Sequence, residues 1–458
     1  MQQELRFDST TLGLVIAAGL IFHLILLILG RRLDTMGVLM GAFFVIAPLS
    51  AAILVPGYEY FKWVRVYVSL LILAVAILFY RSWRLGPASL ALGGFSMVYY
   101  AATIWSENPI QGFMVKGLFI IVVLAALFMA ANIRTFPQLA IAIRVTALFS
   151  VIWVGMVPLG VALGRADFFV GRLAVWGMNS NRVGHELAAM LLVTGWLAIF
   201  DQSKGWKTFG FVASGALALI IAMTGSRASV GMALIAGAFY SIPLLRRPGV
   251  LISFWGGAAV LGAVALYLAK SEGTDRIGDL SLDTRQTEWN YALGLWARSP
   301  VFGIGWAIDS TSRAAGASQN LHSMYVQTLV ESGVLGLGLL LCVLGLIGYR
   351  IFRLHRIAWG DPNAGYAYFA MAAAVACLAH GFVESGTIQG SNNNSLLMAL
   401  GVGLIDRITV MLTEERELHN PAYAHDEYDY AYDEQGQLYA FNPDYHDYPE
   451  HDGNAPAA

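Results

Sequence analysis

The sequence predicts an all-α protein, a polytopic bundle of transmembrane helices. Three observations carry that prediction. Of the 458 residues, 57% are hydrophobic and 13% charged, against about 25% charged in a soluble domain. The mean hydropathy is +0.61. Long apolar runs broken by short polar segments fill residues 11–412, and a helical span needs about 20 such residues. One soluble core of this size cannot hide so much apolar surface. The formal net charge of −2 excludes a nucleic-acid binder, because it leaves no basic surface to neutralise phosphates. Cys342 and Cys377 are the two cysteines and both lie in apolar runs, which excludes a disulfide scaffold.

In chain order, spans are predicted near 11–30, 36–55, 63–80, 87–105, 114–132, 138–163, 183–200, 209–224, 228–245, 249–269, 324–349, 364–382 and 395–412. That gives about 12–13 spans, because hydropathy fixes edges poorly. Breaks with Arg31 and Arg32, Arg81 and Arg84, Arg134, Lys204 and Lys207, Arg246 and Arg247, and Arg350, Arg353 and Arg356 fall at every second gap. Such gaps face the cytoplasm. The intervening gaps then face outward, the N-terminus is external and the C-terminus cytoplasmic. The first run lacks a basic leader and a small-residue cleavage site, so it reads as a retained helix.

Two outward segments are long, 164–182 and 270–323, and long loops are usually functional or disordered. In the second, Trp289, Leu293 and Trp296 recur at i, i+4 and i+7. That spacing predicts a helix lying on the membrane boundary, with its tryptophans in the headgroup layer. Residues 1–412 therefore read as one membrane domain. The tail, 413–458, holds twelve acidic residues, seven Tyr and one Arg. It reads as a disordered cytoplasmic segment. A solvated tail is the simpler account, and a docking tail for a cytoplasmic partner the functional one.

Outward polar groups cluster in four places. The first is Asn320–Gly336, where Asn320 as N-cap would put His322 in the first helical turn. At 100° per residue, Gly333 and Gly336 would then share its face, and glycines there would admit a neighbouring helix. The second is Thr224-Gly-Ser-Arg227. The third is Arg285, in the first turn of the boundary helix if Asp283 caps it, where a helix N-terminus and a guanidinium suit a phosphate. The fourth is Asn179-Ser-Asn-Arg182, followed by His185 and Glu186 on one face. Each has a plainer reading: a satisfied interfacial histidine, a snorkelling Arg227, a surface Arg285, and Arg182–Glu186 as an ion pair closing a helix end. His380 and Glu384, at i and i+4, read as a structural pair. No H-E-x-x-H or Cys/His set is present, so no metal or other cofactor is expected.

The run His322-Ser323, nine residues, Gly333, two residues, Gly336 resembles the H-[NSQ]-x9-G-x-x-G signature of O-antigen ligases. The Thr-Gly-Ser-Arg227 helix end, Arg285-x-x-x-Trp289, Pro300-Val-Phe-Gly-Ile-Gly305 and His380-Gly-Phe-Val-Glu384 are similar to that superfamily in their order. It also contains O-antigen polymerases. The resemblance covers residues 170–410 by motif. It implies a glycosyltransferase of the C type in the bacterial inner membrane, active on the periplasmic face without metal. Such an enzyme moves a glycan from undecaprenyl diphosphate to lipid A core or to a growing glycan. By that likeness, His322 is the general base and Arg227 and Arg285 bind the diphosphate, with Arg182 a weaker carry-over. The family's usual count of twelve spans sets the first run apart.

The chemistry suits those residues. A sugar hydroxyl is a poor nucleophile, and an imidazole with a pKa of about 6.5 can take its proton as attack proceeds. Guanidinium forks can stabilise the charge growing on a diphosphate leaving group. The His-Ser pair leans toward a ligase over a polymerase. A transporter using His322 and the arginines as a substrate path is the reading from another class, although no internal repeat is evident.

Overall fold

In a computed structural model, the structure describes residues 35–52, 54, 58–79, 85–169, 172–271, 283–306, 321–384, 387, 392–419, 430–432 and 438–440. The predicted first span, 11–30, lies outside them. The chain divides into two units, Met1–Thr409 and Val410–Ala458.

The first unit is helical, and every predicted span from 36 onward falls on a helix. In order these are α1 Thr35–Leu49, α2 Tyr58–Phe79, α3 Pro87–Ala101, α4 Pro109–Ala131, α5 Phe136–Ala162, α6 Ser180–Phe200, α7 Lys204–Met223, α8 Arg227–Ser241 and α9 Pro248–Ser271. Then follow α10 Asp283–Trp296, α11 Met324–Ala358, α12 Ala364–His380 and α13, which opens at Asn393. Among the described residues, seven helices are long and apolar enough to cross a membrane, including Phe136–Ala162 and Met324–Ala358. The protein is an all-α, polytopic helical membrane protein.

Local chemistry sets the helix starts. Thr135 caps α5 by accepting from the Gln138 amide, and Asn179 caps α6 by accepting from the Arg182 amide at 2.8 Å. These caps satisfy donors that a helix start leaves open. Helices α1 and α5, α6 and α7, and α8 and α12 pack as neighbours. Two buried carboxylates, Asp406 and Asp201, are paired with arginines. Arg350 meets Asp406 at 3.0 Å, and Asp406 also accepts from the Ser89 amide and hydroxyl at 2.8 Å. Arg144 grips Asp201 with two bonds of 2.7 and 2.8 Å.

Segment 164–182 carries two short antiparallel strands, β1 Ala166–Phe169 and β2 Arg172–Val175, with Phe169 opposite Arg172. Leu173 and Val175 are buried, and the Trp176 indole donates to the Met156 carbonyl at 2.9 Å. The hairpin is thus pinned onto α5. In the second unit, Tyr430–Tyr432 pairs antiparallel with Leu438–Ala440, where the sequence predicts no regular structure.

Helix α11 is broken. Gly333 has φ 65° and ψ −167°. The amides of Val334 and Leu335 donate to the carbonyls of Pro300 and Val301. In return, the amides of Ile304 and Gly305 donate to the carbonyls of Val330 and Glu331 at 2.9 and 3.0 Å. The Pro300–Gly305 turn therefore replaces the missing helical hydrogen bonds, which buried backbone requires.

That break corrects two expectations. Gly333 does not admit a neighbouring helix: a Cβ there would lie 2.1 Å from the Val301 carbonyl oxygen, so it admits a turn. The close contacts of a Cβ at Gly336 would be with Ser332 of its own helix, at 2.2 Å. Neither glycine can be phased from His322 at 100° per residue, because the helix is not continuous.

Candidate functional site

His322 stands just before α11 with φ 46°. Ser323 is the N-cap, accepting from the Val326 amide. The prediction of His322 in a first helical turn is therefore off by one element: the residue is held in a left-handed conformation at the mouth of the helix. Such a conformation is uncommon for a non-glycine residue, and it persists where the surroundings fix it.

Those surroundings come from three elements. The Trp289 indole on α10 donates to the Leu321 carbonyl at 2.8 Å. Ala292 and Leu295 of α10 are buried in one cluster with Leu321 and Val330. Tyr291 and Trp296 pack against that cluster, so of the predicted Trp289–Leu293–Trp296 face it is Leu293 that is left exposed. The helix packs on α11 instead of presenting that face to lipid alone. Arg285 lies in the first turn of α10, which begins at Asp283.

The third element follows α12. Glu384 Oε2 lies 3.3 Å from His322 Nδ1, with the His322 side chain 22% exposed and that of Glu384 10%. Sequence spacing had paired Glu384 with His380, whereas its carboxylate reaches His322. Burial pushes the Glu384 carboxyl upward. The hydrogen bond from His322, then the charges of His322, His185 and His380, outweigh burial and hold it below its ordinary value.

The other Glu384 oxygen extends the network. Asn181 Nδ2 donates to Oε1 at 3.2 Å, Arg172 donates to Asn181 Oδ1, and Arg172 Nε donates to the Thr224 carbonyl at 3.0 Å. Thr224 closes α7, Gly225 turns with φ 59°, and Arg227 is the exposed first residue of α8. Gly184 of α6 lets this turn approach: a Cβ there would lie 2.7 Å from Ser226 Cβ and Ser229 Oγ. His322 is thereby joined through side chains to the turn that carries Arg227.

Arg182 sits apart from that line. Its Nε is 3.5 Å from Glu186 Oε1, and His185 Nε2 is 3.8 Å from the same oxygen. Glu186 also accepts from the Asn393 amide at 3.3 Å. The ion-pair reading of Arg182 and Glu186 is the one this geometry matches. His185 and His380 meet edge to face, 5.6 Å between centroids. Among the described residues, no group of three or more His, Cys, Asp or Glu is placed to hold a metal ion.

Sequence reasoning missed Arg172 and Asn181 as parts of the site. Asn181 fell inside the singled-out Asn179–Arg182 stretch, but its partner Glu384 lies 203 residues away. Arg172 carries no local signal beyond its place in the long 164–182 segment.

A family model described as O-antigen ligase matches residues 212–341. The match supports the O-antigen ligase and polymerase superfamily, and it spans Arg227, Arg285, His322, Gly333 and Gly336. Arg172, Asn181, Arg182 and Glu384 lie outside it. No curated protein matches the chain.

Proposed function

We propose that this membrane protein is an O-antigen ligase-type glycosyltransferase. It moves a glycan from undecaprenyl diphosphate to an acceptor sugar hydroxyl, on the periplasmic face of a bacterial inner membrane. The observation that carries the reading is the His322–Glu384 pair, linked through Asn181 and Arg172 to the Arg227 turn. With Nδ1 turned to Glu384, Nε2 is the ring nitrogen assigned to take the acceptor's proton. The carboxylate fixes the tautomer and stabilises the imidazolium that forms.

In the reaction, the acceptor oxygen attacks the anomeric carbon as its proton passes to His322. The bond from that carbon to the diphosphate oxygen breaks, and the electron pair leaves with the diphosphate. Arg227, at the start of α8, and Arg285, in the first turn of α10, stabilise the growing charge. Direct displacement inverts the anomeric centre. Residues 1–412 form the transferase domain, with 413–458 a cytoplasmic tail available to a partner protein.

Purified protein in proteoliposomes, given a polyprenyl-diphosphate-linked glycan and lipid A core, tests the reading. His322→Ala is expected to lose transfer by about 10²–10⁴-fold while still binding donor. Near-normal transfer would remove the base assignment. Deleting the locus and running surface glycan on a gel separates the classes. Carrier-linked glycan without lipid A-linked long chains marks a ligase, single repeats mark a polymerase, and an unchanged profile marks a transporter.

A further inference from the structure

We propose that Arg172 and Asn181 are positioning residues that hold the His322–Glu384 pair in register with the Thr224–Arg227 turn. This rests on the reading of His322 as base. Glu384 divides its oxygens, one toward His322 at 3.3 Å and one toward Asn181 at 3.2 Å. Asn181 uses both ends of its amide: its oxygen accepts from the Arg172 guanidinium and its nitrogen donates to the carboxylate. The reverse orientation would set N–H against a cation and oxygen against an anion, so the amide has one satisfied orientation. A neutral amide thus ties a cation to an anion at a fixed spacing.

Arg172 fixes the other end. Its Nε donates to the carbonyl of Thr224 at 3.0 Å, and a Cβ on Gly225 would lie 3.3 Å from its Cγ. The guanidinium therefore lies against the turn that delivers Arg227. A shift of that turn is carried through Arg172 and Asn181 to the carboxylate that orients the imidazole. Neither residue need touch the reacting atoms.

The test uses the full chain in proteoliposomes with a polyprenyl-diphosphate-linked glycan, and reads kcat and donor KM against pH. Asn181→Asp keeps an acceptor for Arg172 but sets a second carboxylate beside Glu384, which itself faces the charges of His322, His185 and His380. Added negative charge favours the imidazolium, so the acid limb of kcat is expected to move up by about one pH unit. The rate should then be about tenfold low on that limb and recover at alkaline pH, with donor KM within about twofold of wild type. Asn181→Ala is expected to lower kcat about tenfold across the range with KM held, whereas Arg172→Ala raises KM and lowers kcat together. An unshifted limb in Asn181→Asp, or Asn181 variants whose loss lies in KM alone, would overturn the proposal. Transfer by His322→Ala would overturn the base reading, and this proposal with it. An inactive His322→Ala beside wild-type Asn181 variants would overturn only this one.

Discussion

His322 Nδ1 faces Glu384 Oε2 at 3.3 Å across 62 residues of sequence, the two residues flanking a pair of long helices. The contact places an anion beside the imidazole. Removing that charge should hurt more than removing the hydrogen bond. Glu384→Gln is expected to lower kcat about 10²-fold with donor KM little changed. Steady-state kinetics in proteoliposomes check this, and an unaffected kcat would assign the pair to structure alone.

The same pair has a stability signature. The Glu384 carboxyl is held below its ordinary value of 4.5. A group with a depressed folded pKa contributes stability that is present above the unfolded value and lost as pH falls through the folded one. Wild type should therefore unfold at a higher temperature than Glu384→Gln at neutral pH, and the gap should close as pH drops below about 4.5. A gap that stays constant with pH would mean that the carboxylate charge does not contribute.

The helices were legible because membrane spans obey one constraint, the satisfaction of every backbone group in hydrocarbon. Hydropathy registers that constraint directly, and each predicted span from 36 onward became a helix. Residue type and spacing together single out His322, Gly333 and the Arg227 turn as candidates. The conformation of His322 was not legible, because a left-handed residue before a cap is set by the elements around it. Arg172 and Asn181 were not, because their partners are supplied by folding and leave no periodic trace. The break in α11 escaped because a glycine in an apolar run reads equally as a packing site.

Gly333 offers a test of that break. Alanine there would meet the Val301 carbonyl oxygen at 2.1 Å while held at φ 65°. Gly338, five residues on, has nothing within 4 Å of a Cβ. Gly333→Ala is expected to cost about 2 kcal/mol or more in stability and most of the transfer activity. Gly338→Ala should stay within about 0.5 kcal/mol of wild type. Equal melting temperatures for the two variants would argue that α11 runs straight.

Trp289 tests the role of the boundary helix. Its indole donates to Leu321, the residue before His322, at 2.8 Å. Trp289→Phe keeps a ring and removes the donor, stranding a carbonyl at about 1–3 kcal/mol. The left-handed backbone at His322 then loses one of its restraints. A lower kcat with unchanged protein yield is expected, and thermal unfolding with transfer assays on the same sample checks both. An undiminished kcat would show that the Trp289–Leu321 bond is not needed to hold His322.

The buried pair beneath the Pro300–Gly305 turn sets the last expectation. Lys116 Nζ is 2.8 Å from Glu331 Oε2, with both side chains at most 2% exposed. Gln327 donates to the other oxygen at 2.9 Å, Tyr99 donates its hydroxyl, and the Lys116 ammonium lies 3.7 Å from the Tyr99 ring centre. Glu331 also offers its backbone carbonyl to Gly305, so the pair sits at the splice between α11 and the turn. Removing one partner strands a buried charge at about 3–5 kcal/mol, whereas replacing both with neutral groups of similar volume is often tolerated. Lys116→Met alone should therefore lower the melting temperature sharply, and Lys116→Met with Glu331→Gln should recover most of the loss. Strict additivity of the two substitutions would mean that they do not interact, contrary to the 2.8 Å contact.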